Sequence, residues 1–438
     1  MTWLTALLLL AGGLALLLVL GMPVAVSFFG INLVGAWIFF GGEPGLLQVV
    51  RNGVGSVASY TLAPIPLFVL MGEVLLQTGL AFRAIDAIER LIVRVPGRMA
   101  LVSVAGGTVF AALSGSSIAN TAMLGRALMP ELLKRGYHPT LAMGPIMATG
   151  SIAMLIPPSA LAVLVGSLAG ISISGLLIAG IMPAILLAIL FAGYIIIRAL
   201  RRPQDAPADV GEDMPLWDRL RPFLIYVVPL SGIVIVVVGS LIMGLATPTE
   251  SAALGTIATL VAAALYRSLS WQALWRALRE TALMVVMIMF VIVASSTFSQ
   301  LLSFSGATAG IVSTIQAFDP TPFSVMLGMM IILLVLGCFL DQVSMAMITI
   351  PLFVPLAQAV GIDLLWLGVV YLLTMEIAFL TPPFGLLLFV MKGVAPREIG
   401  MGTVYRAALP FVLLEMAVLV AVLFYPAIGL WLPSIMRQ

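Results

Sequence analysis

Ile156-Pro157-Pro158-Ser159 returns, 225 residues further on, as Thr381-Pro382-Pro383-Phe384. A proline lacks the backbone donor and clashes with the preceding turn, so a double proline inside an apolar run breaks a helix there. The same offset relates Ser116 in Ser114-Gly115-Ser116-Ser117 to Asp341 in Gly337-Cys338-Phe339-Leu340-Asp341. It also relates Pro130 to Pro355 and Pro23 to Pro248. One offset at separated places marks two copies of one unit, each with helix-breaking residues inside apolar sequence. In a membrane protein that pattern points to a carrier with its site where the copies meet.

Composition supports the membrane. The chain is 62% hydrophobic and 9% charged, where soluble domains carry about 25% charged residues. Apolar runs long enough for a hydrocarbon layer of roughly 30 Å fill most of the chain. The longest polar stretch, Arg198 to Arg221, contains Pro203-Gln204-Asp205-Ala206-Pro207 and reads as a linker between the copies. A single cysteine, Cys338, excludes an intrachain disulfide framework, and a single histidine, His138, leaves no histidine metal cluster. An intramembrane serine protease needs a histidine beside its serine, and an aspartyl one needs two membrane aspartates where only Asp341 qualifies. No phosphate-binding Gly-x-x-x-x-Gly-Lys-Ser/Thr motif occurs, so no ATP-driven step and no enzyme activity is expected. Met1 to Gly21 lacks the positive start of a signal peptide and reads as a first membrane helix.

In the first copy, Leu4–Leu20, Val24–Phe40, Leu62–Gly79, a segment from Leu141 broken near Pro157, and Ile173–Ile197 each read as a crossing. Residues 100–136 read as two half-length helices joined at Ser114–Ser117, a re-entrant hairpin. Five crossings is odd, so the second copy is expected to be inverted. It reads as Phe223–Met243, Ser251–Tyr266, Thr281–Leu302, a hairpin over 323–360, a broken segment from Leu364, and Ala407–Phe424. With the N-terminus outside, only Arg51 and Arg437 among the basic residues fall outside, as the positive-inside rule asks. Two stretches, Phe82–Val95 (with Arg83, Asp86, Arg90 and Arg94) and Ser270–Glu280, read as amphipathic helices in the interface. They suit either juxtamembrane anchors or a moving arm.

Non-helical backbone at membrane depth is tolerated only where it is buried or lines a cavity. Both hairpin tips and both double-proline breaks expose helix termini and carbonyls. Helix C-termini suit a small hard cation, and N-termini suit an anion. Ser116, Ser117, Asn120 and Thr121 supply the hydroxyl and amide oxygens a sodium ion takes. Serine and glycine are also close-packing residues in membranes; the matched position opposite a double proline favours the ion site. Asp341 reads as an N-cap, an ion ligand, or both. Of the other membrane acids, Glu376 lies near the second break and is the best functional candidate. Glu250 reads as a cap, and Glu73 and Glu415 have no assigned place.

Ser-Gly-Ser-Ser-Ile-Ala-Asn-Thr-Ala (114–122), Ile-Pro-Pro-Ser (156–159), Asp341 followed by Ile350-Pro351, and Thr-Pro-Pro-Phe-Gly (381–385) resemble the large, DctM-like permease subunit of tripartite ATP-independent periplasmic (TRAP) transporters. The likeness spans nearly the whole chain. It implies an all-α polytopic protein of two inverted repeats with the elevator architecture of the ion-transporter superfamily. It implies sodium-coupled uptake of a small organic anion: a C4-dicarboxylate, sialic acid, or another sugar or keto acid. Sodium is then the coupling ion, and no cofactor is expected. The partners implied are a small four-helix membrane subunit, expected as a separate chain, and a periplasmic substrate-binding protein, in a bacterial or archaeal cytoplasmic membrane. A stand-alone carrier of the same superfamily is the alternative. The resemblance places one sodium site at Ser114, Gly115, Ser116, Asn120, Gly150 and Pro157. It places a second at Gly337, Cys338, Asp341, Thr381 and Pro382. Ser117, Thr121, Ser344, Thr381 and Glu376 are the expected substrate contacts. Residues 1–80 and 222–304 (amphipathic over 268–280) would form a scaffold, 81–97 an interfacial arm, 201–221 a cytoplasmic linker, and 98–200 with 305–427 the moving transport domain.

Overall fold

The structure, a computed structural model, describes residues 2–93, 95–207 and 215–436. Arg94, Arg437 and the 208–214 part of the linker lie outside the described residues. Every regular element among the described residues is helical. The first half runs α1 (Trp3–Val19), α2 (Val24–Phe39), α3 (Glu43–Val57), α4 (Pro64–Gln77), α5 (Leu80–Leu91), α6 (Arg98–Ser114), α7 (Ser117–Lys134), α8 (Pro139–Ile152), α9 (Ala160–Ala169) and α10 (Ile173–Arg201). The second half runs α11 (Leu216–Ile242), α12 (Pro248–Leu265), α13 (Trp271–Phe304), α14 (Ala307–Gln316), α15 (Pro322–Leu336), α16 (Gln342–Ala359), α17 (Leu364–Leu380), α18 (Leu386–Val394), α19 (Met401–Phe424) and α20 (Ala427–Met436). Seven helices among the described residues are long and apolar enough to cross a membrane.

Helix boundaries keep the offset read from the sequence. α7 and α16 each have 18 residues, and Ser116 and Asp341 cap them. The Pro157-Pro158 and Pro382-Pro383 bonds are both cis. Starts are set by side chains that accept first-turn N–H groups, which otherwise have no partner. Ser159 takes Ala162 N–H at 3.2 Å, Thr321 takes Ser324 N–H at 3.2 Å, and Asp363 takes Trp366 N–H at 2.8 Å. Glu250 closes a capping box with Thr247 at the head of α12, the role its position suggested.

Three features differ from the sequence reading. The amphipathic stretch over 268–280 is not a separate helix. Trp271–Phe304 runs unbroken for 34 residues, about 51 Å at 1.5 Å per residue. Arg276, Arg279 and Glu280 lie on its overhang, and no proline or glycine interrupts it. The hairpin helices are not half-length. α6 has 17 residues and α7 has 18, about 26 Å each. Glu43–Val57 forms a helix that apolar run length missed, because glycine, proline and polar residues dilute it.

Packing falls into two groups. α2, α4, α12 and α13 pack together. Phe28 meets Phe298 edge-on at 5.1 Å, and Asn32 donates to the Ala294 carbonyl at 2.6 Å. The other group centres on α8, buried from Thr140 to Ile152 between α6, α7 and α19, and on α17, buried over most of its length. The short helices beyond the two breaks cross over: α9 packs on α16, and α18 packs on α7. Each tip is thereby held by the opposite half. Helix α5 is tied to the end of α7 through Glu89 and Arg135 at 3.2 Å.

Candidate functional site

At the first tip, α6 ends in Gly115 at φ +59, a left-handed conformation that suits glycine. Gly115 also lies so close to the break that an added Cβ would stand 3.0 Å from the Pro158 carbonyl. Pro157 is buried one residue earlier. The Ser116 hydroxyl takes Ala119 N–H at 3.3 Å and starts α7. One turn in, Asn120 donates through Nδ2 to the Thr149 carbonyl at 2.8 Å. Its Oδ1 and the Thr121 hydroxyl are buried and have no hydrogen-bond partner. Gly150 follows Thr149. A Cβ there would meet Thr121 Oγ1 at 2.2 Å and the Ser117 carbonyl at 3.1 Å. Buried polar groups are ordinarily satisfied. Orphaned oxygens beside a bare glycine face fit a small hard cation as their missing partner.

Two acids stand behind this tip. The Ser117 hydroxyl donates to Glu376 Oε1 at 2.9 Å, and Met154 N–H reaches the same oxygen at 3.2 Å. Ser151 donates to Glu415, whose other oxygen has no partner. Both carboxyls, 2% and 1% exposed, therefore hold the end of α8 just before the break. Glu376 contacts the first tip, although sequence proximity pointed to the second.

The second tip spends its groups differently. Gly337 sits so close to α17 that a Cβ would meet Ala378 Cβ at 2.3 Å. The Cys338 thiol turns back to the Leu334 carbonyl at 3.4 Å. Asp341 caps α16, accepting Val343 N–H at 3.1 Å, Ser344 N–H at 3.2 Å and the Ser344 hydroxyl. The Thr381 hydroxyl donates to the Ile377 carbonyl at 2.6 Å in its own helix. Beyond Pro382, the Pro383 carbonyl accepts from the Tyr405 hydroxyl at 2.7 Å. Phe384 is exposed and lies over Phe339, with ring centres 5.5 Å apart.

A cavity of about 430 Å³ separates the two helix groups, within the range of small-molecule sites. Ser114–Ser116 and Asp341–Ser344 line one wall, with α4 and α13 opposite. Of the expected substrate contacts, Ser344 is on this wall. Ser117, Thr121 and Glu376 sit behind the first tip, and Thr381 sits at the second break. The cavity also brings in two residues that sequence alone left without a role. Glu73 projects from α4, and Gln342, 5% exposed, has an amide nitrogen without a partner. For Gln342 the available signal was its place after a capping aspartate. Glu73 gave no signal beyond being an acid in an apolar helix.

Membrane-length helices, two paired-helix tips seated against two broken helices, and a solute-sized cavity between tips and a second helix group define a multi-pass membrane transporter. The fold agrees. The structure matches that of the Alcanivorax borkumensis YdaH transporter with TM-score 0.66 at 15% identity, covering 94% of this chain and 98% of that one. Residues 11–428 match the tripartite ATP-independent periplasmic transporter family, DctM component, and the chain belongs to that family. It is 30% identical over 383 residues (86% of each chain) to the C4-dicarboxylate TRAP transporter large permease protein DctM of Pseudomonas aeruginosa. It is 29% identical over 419 residues (95% of this chain, 96% of the relative) to the ectoine/5-hydroxyectoine TRAP transporter large permease protein UehC of Ruegeria pomeroyi. The chain is thus a transporter permease subunit and not an enzyme.

Proposed function

We propose that this chain is the sodium-coupled permease of a tripartite uptake system. It carries a small organic acid inward by sliding one helix group, with both tips, past the other. The observation that carries this reading is the cavity of about 430 Å³ bounded by both tips on one wall and by α4 and α13 on the other. A solute there touches both prospective moving and fixed parts. Sodium enters as a co-substrate. The orphaned oxygens of Asn120 and Thr121 and the Ser117 carbonyl, around Gly150, would hold it. Cation binding there stiffens the first tip against the broken helix, and the solute then closes the second tip over itself. Sodium and solute each favour the loaded arrangement, which is the requirement for coupling. The two halves act as inverted repeats, so that exchanging their conformations opens the cavity to the other side. A small four-helix membrane subunit braces the fixed group, and a periplasmic binding protein delivers C4-dicarboxylates, sialic acid, or other sugar or keto acids.

Proteoliposomes containing the permease, its small subunit and the binding protein test this. Uptake of labelled organic acids is expected only with an inward sodium gradient and the binding protein present. Uptake by the permease alone, or indifference to sodium, would contradict it.

A further inference from the structure

The geometry points to a substrate that bears a cationic group beside its carboxylate, with Glu73 as the specificity-determining residue. The inference rests on the carrier reading above and, within small organic acids, favours zwitterionic solutes over the dicarboxylates, sialic acid and sugar or keto acids named there. Glu73 lies on the stripe Val69, Gly72, Glu73 and Leu76, by which α4 faces the cavity. The facing stripe of α13, which includes Met284 and Ile288, is apolar. Glu73 is therefore the one charge on that wall among the described residues. Its Oε2 accepts from Gln77 Nε2 at 3.2 Å, and Oε1 is open. No lysine or arginine is among the described residues that line the cavity. Glu280, on α13 one turn before Met284, is paired with Arg279 at 3.7 Å.

The opposite wall offers the complement. Gln342 is 5% exposed and its amide nitrogen has no partner. Asp341 beside it is already engaged by three donors from its own helix. The tip wall thus includes a residue whose buried amide nitrogen lacks a partner, and the α4 wall a free carboxylate oxygen. A solute carboxylate suits the first, and an ammonium or amidinium group suits the second. A dicarboxylate would set its second negative group against Glu73 in an apolar pocket. Like charges there repel more strongly than in water, and such juxtaposition is how sites reject wrong partners.

The test uses the assembled tripartite system in proteoliposomes under an inward sodium gradient. Labelled solutes fall in two classes: ectoine, proline and γ-aminobutyrate, which carry a cationic group, and succinate, 2-oxoglutarate and N-acetylneuraminate, which do not. Uptake is expected in the first class. Glu73→Gln is expected to raise KM for that solute by about tenfold with little change in kcat, as loss of a charge pair used in binding does. Glu73→Asp should recover part of the affinity, and both variants should melt with the wild-type complex. Uptake confined to the second class, with wild-type kinetics in Glu73→Gln, overturns the assignment and leaves sodium-driven carriage standing. Absence of sodium-driven uptake in both classes overturns the carrier reading, and this assignment with it.

Discussion

Around the first tip, Pro157, Pro158 and Ser159 are buried, whereas around the second, Pro383 and Phe384 are exposed. The two breaks occupy matched positions and share their cis prolyl bonds, yet their oxygens are used differently. At the first, Asn120 Oδ1 and Thr121 Oγ1 have no protein partner, and the two nearby carboxyls hold the end of α8. At the second, Asp341, Cys338 and Thr381 all bond within their own helices or caps. Repeated sequence therefore places matched backbone, but tertiary context decides which copy keeps free ligands. The first tip keeps unpartnered oxygens as it stands, whereas the second would have to give up internal bonds to free any.

Substitutions can break or sharpen this contrast. The largest effect is expected from Asp341→Ala, which removes the charge and the acceptor of three donors. Uptake should be abolished, while loss of the cap costs about 1 kcal/mol of stability, readable as a modest fall in melting temperature. Asp341→Asn keeps a capping oxygen and drops the charge. Wild-type uptake by that variant would assign Asp341 to capping alone and erase the second site.

Gly150→Ala comes next. Its methyl would meet Thr121 Oγ1 at 2.2 Å, and forced overpacking costs about 1–3 kcal/mol. Sodium-driven uptake should fall roughly a hundredfold at low sodium. Rescue by high sodium would place the defect in ion binding rather than in folding.

Asn120→Ala removes an orphaned oxygen and the bond to the Thr149 carbonyl. The sodium concentration for half-maximal uptake should rise about tenfold, the scale of one buried hydrogen-bonding group. The smallest effect is expected at the second break. Thr381→Val removes a hydroxyl already committed to Ile377, and uptake should stay within about twofold of wild type, as for changes away from a binding network. A loss as large as that of Asn120→Ala would mean that the second tip rearranges to use Thr381, as its sequence suggested.

Much of this was legible in the chain. The offset paired Ser116 with Asp341, for which a capping role was legible, because prolines and capping residues act locally; that Ser116 caps too, and that α7 and α16 are equal in length, came from the structure. The continuity of α13 was not legible: Arg276, Arg279 and Glu280 resemble a membrane boundary, yet nothing there breaks a helix. The amphipathic α3 was hidden by its glycines. Side-chain pairing across the fold was beyond reach. Ser117 with Glu376 spans 259 residues, and Ser151 with Glu415 spans 264. Such contacts depend on how α8 nests among α7, α17 and α19, and no local pattern encodes that.

Sodium binding to the purified permease with its small subunit, wild type against Asn120→Ala and Thr381→Val, is the decisive measurement. Radiolabelled sodium at equilibrium would read it without any solute. A wild-type isotherm that weakens about tenfold in Asn120→Ala and is unchanged in Thr381→Val would place the ready cation site at the first tip. Equal affinity in wild type and Asn120→Ala, or a loss confined to Thr381→Val, would contradict that placement.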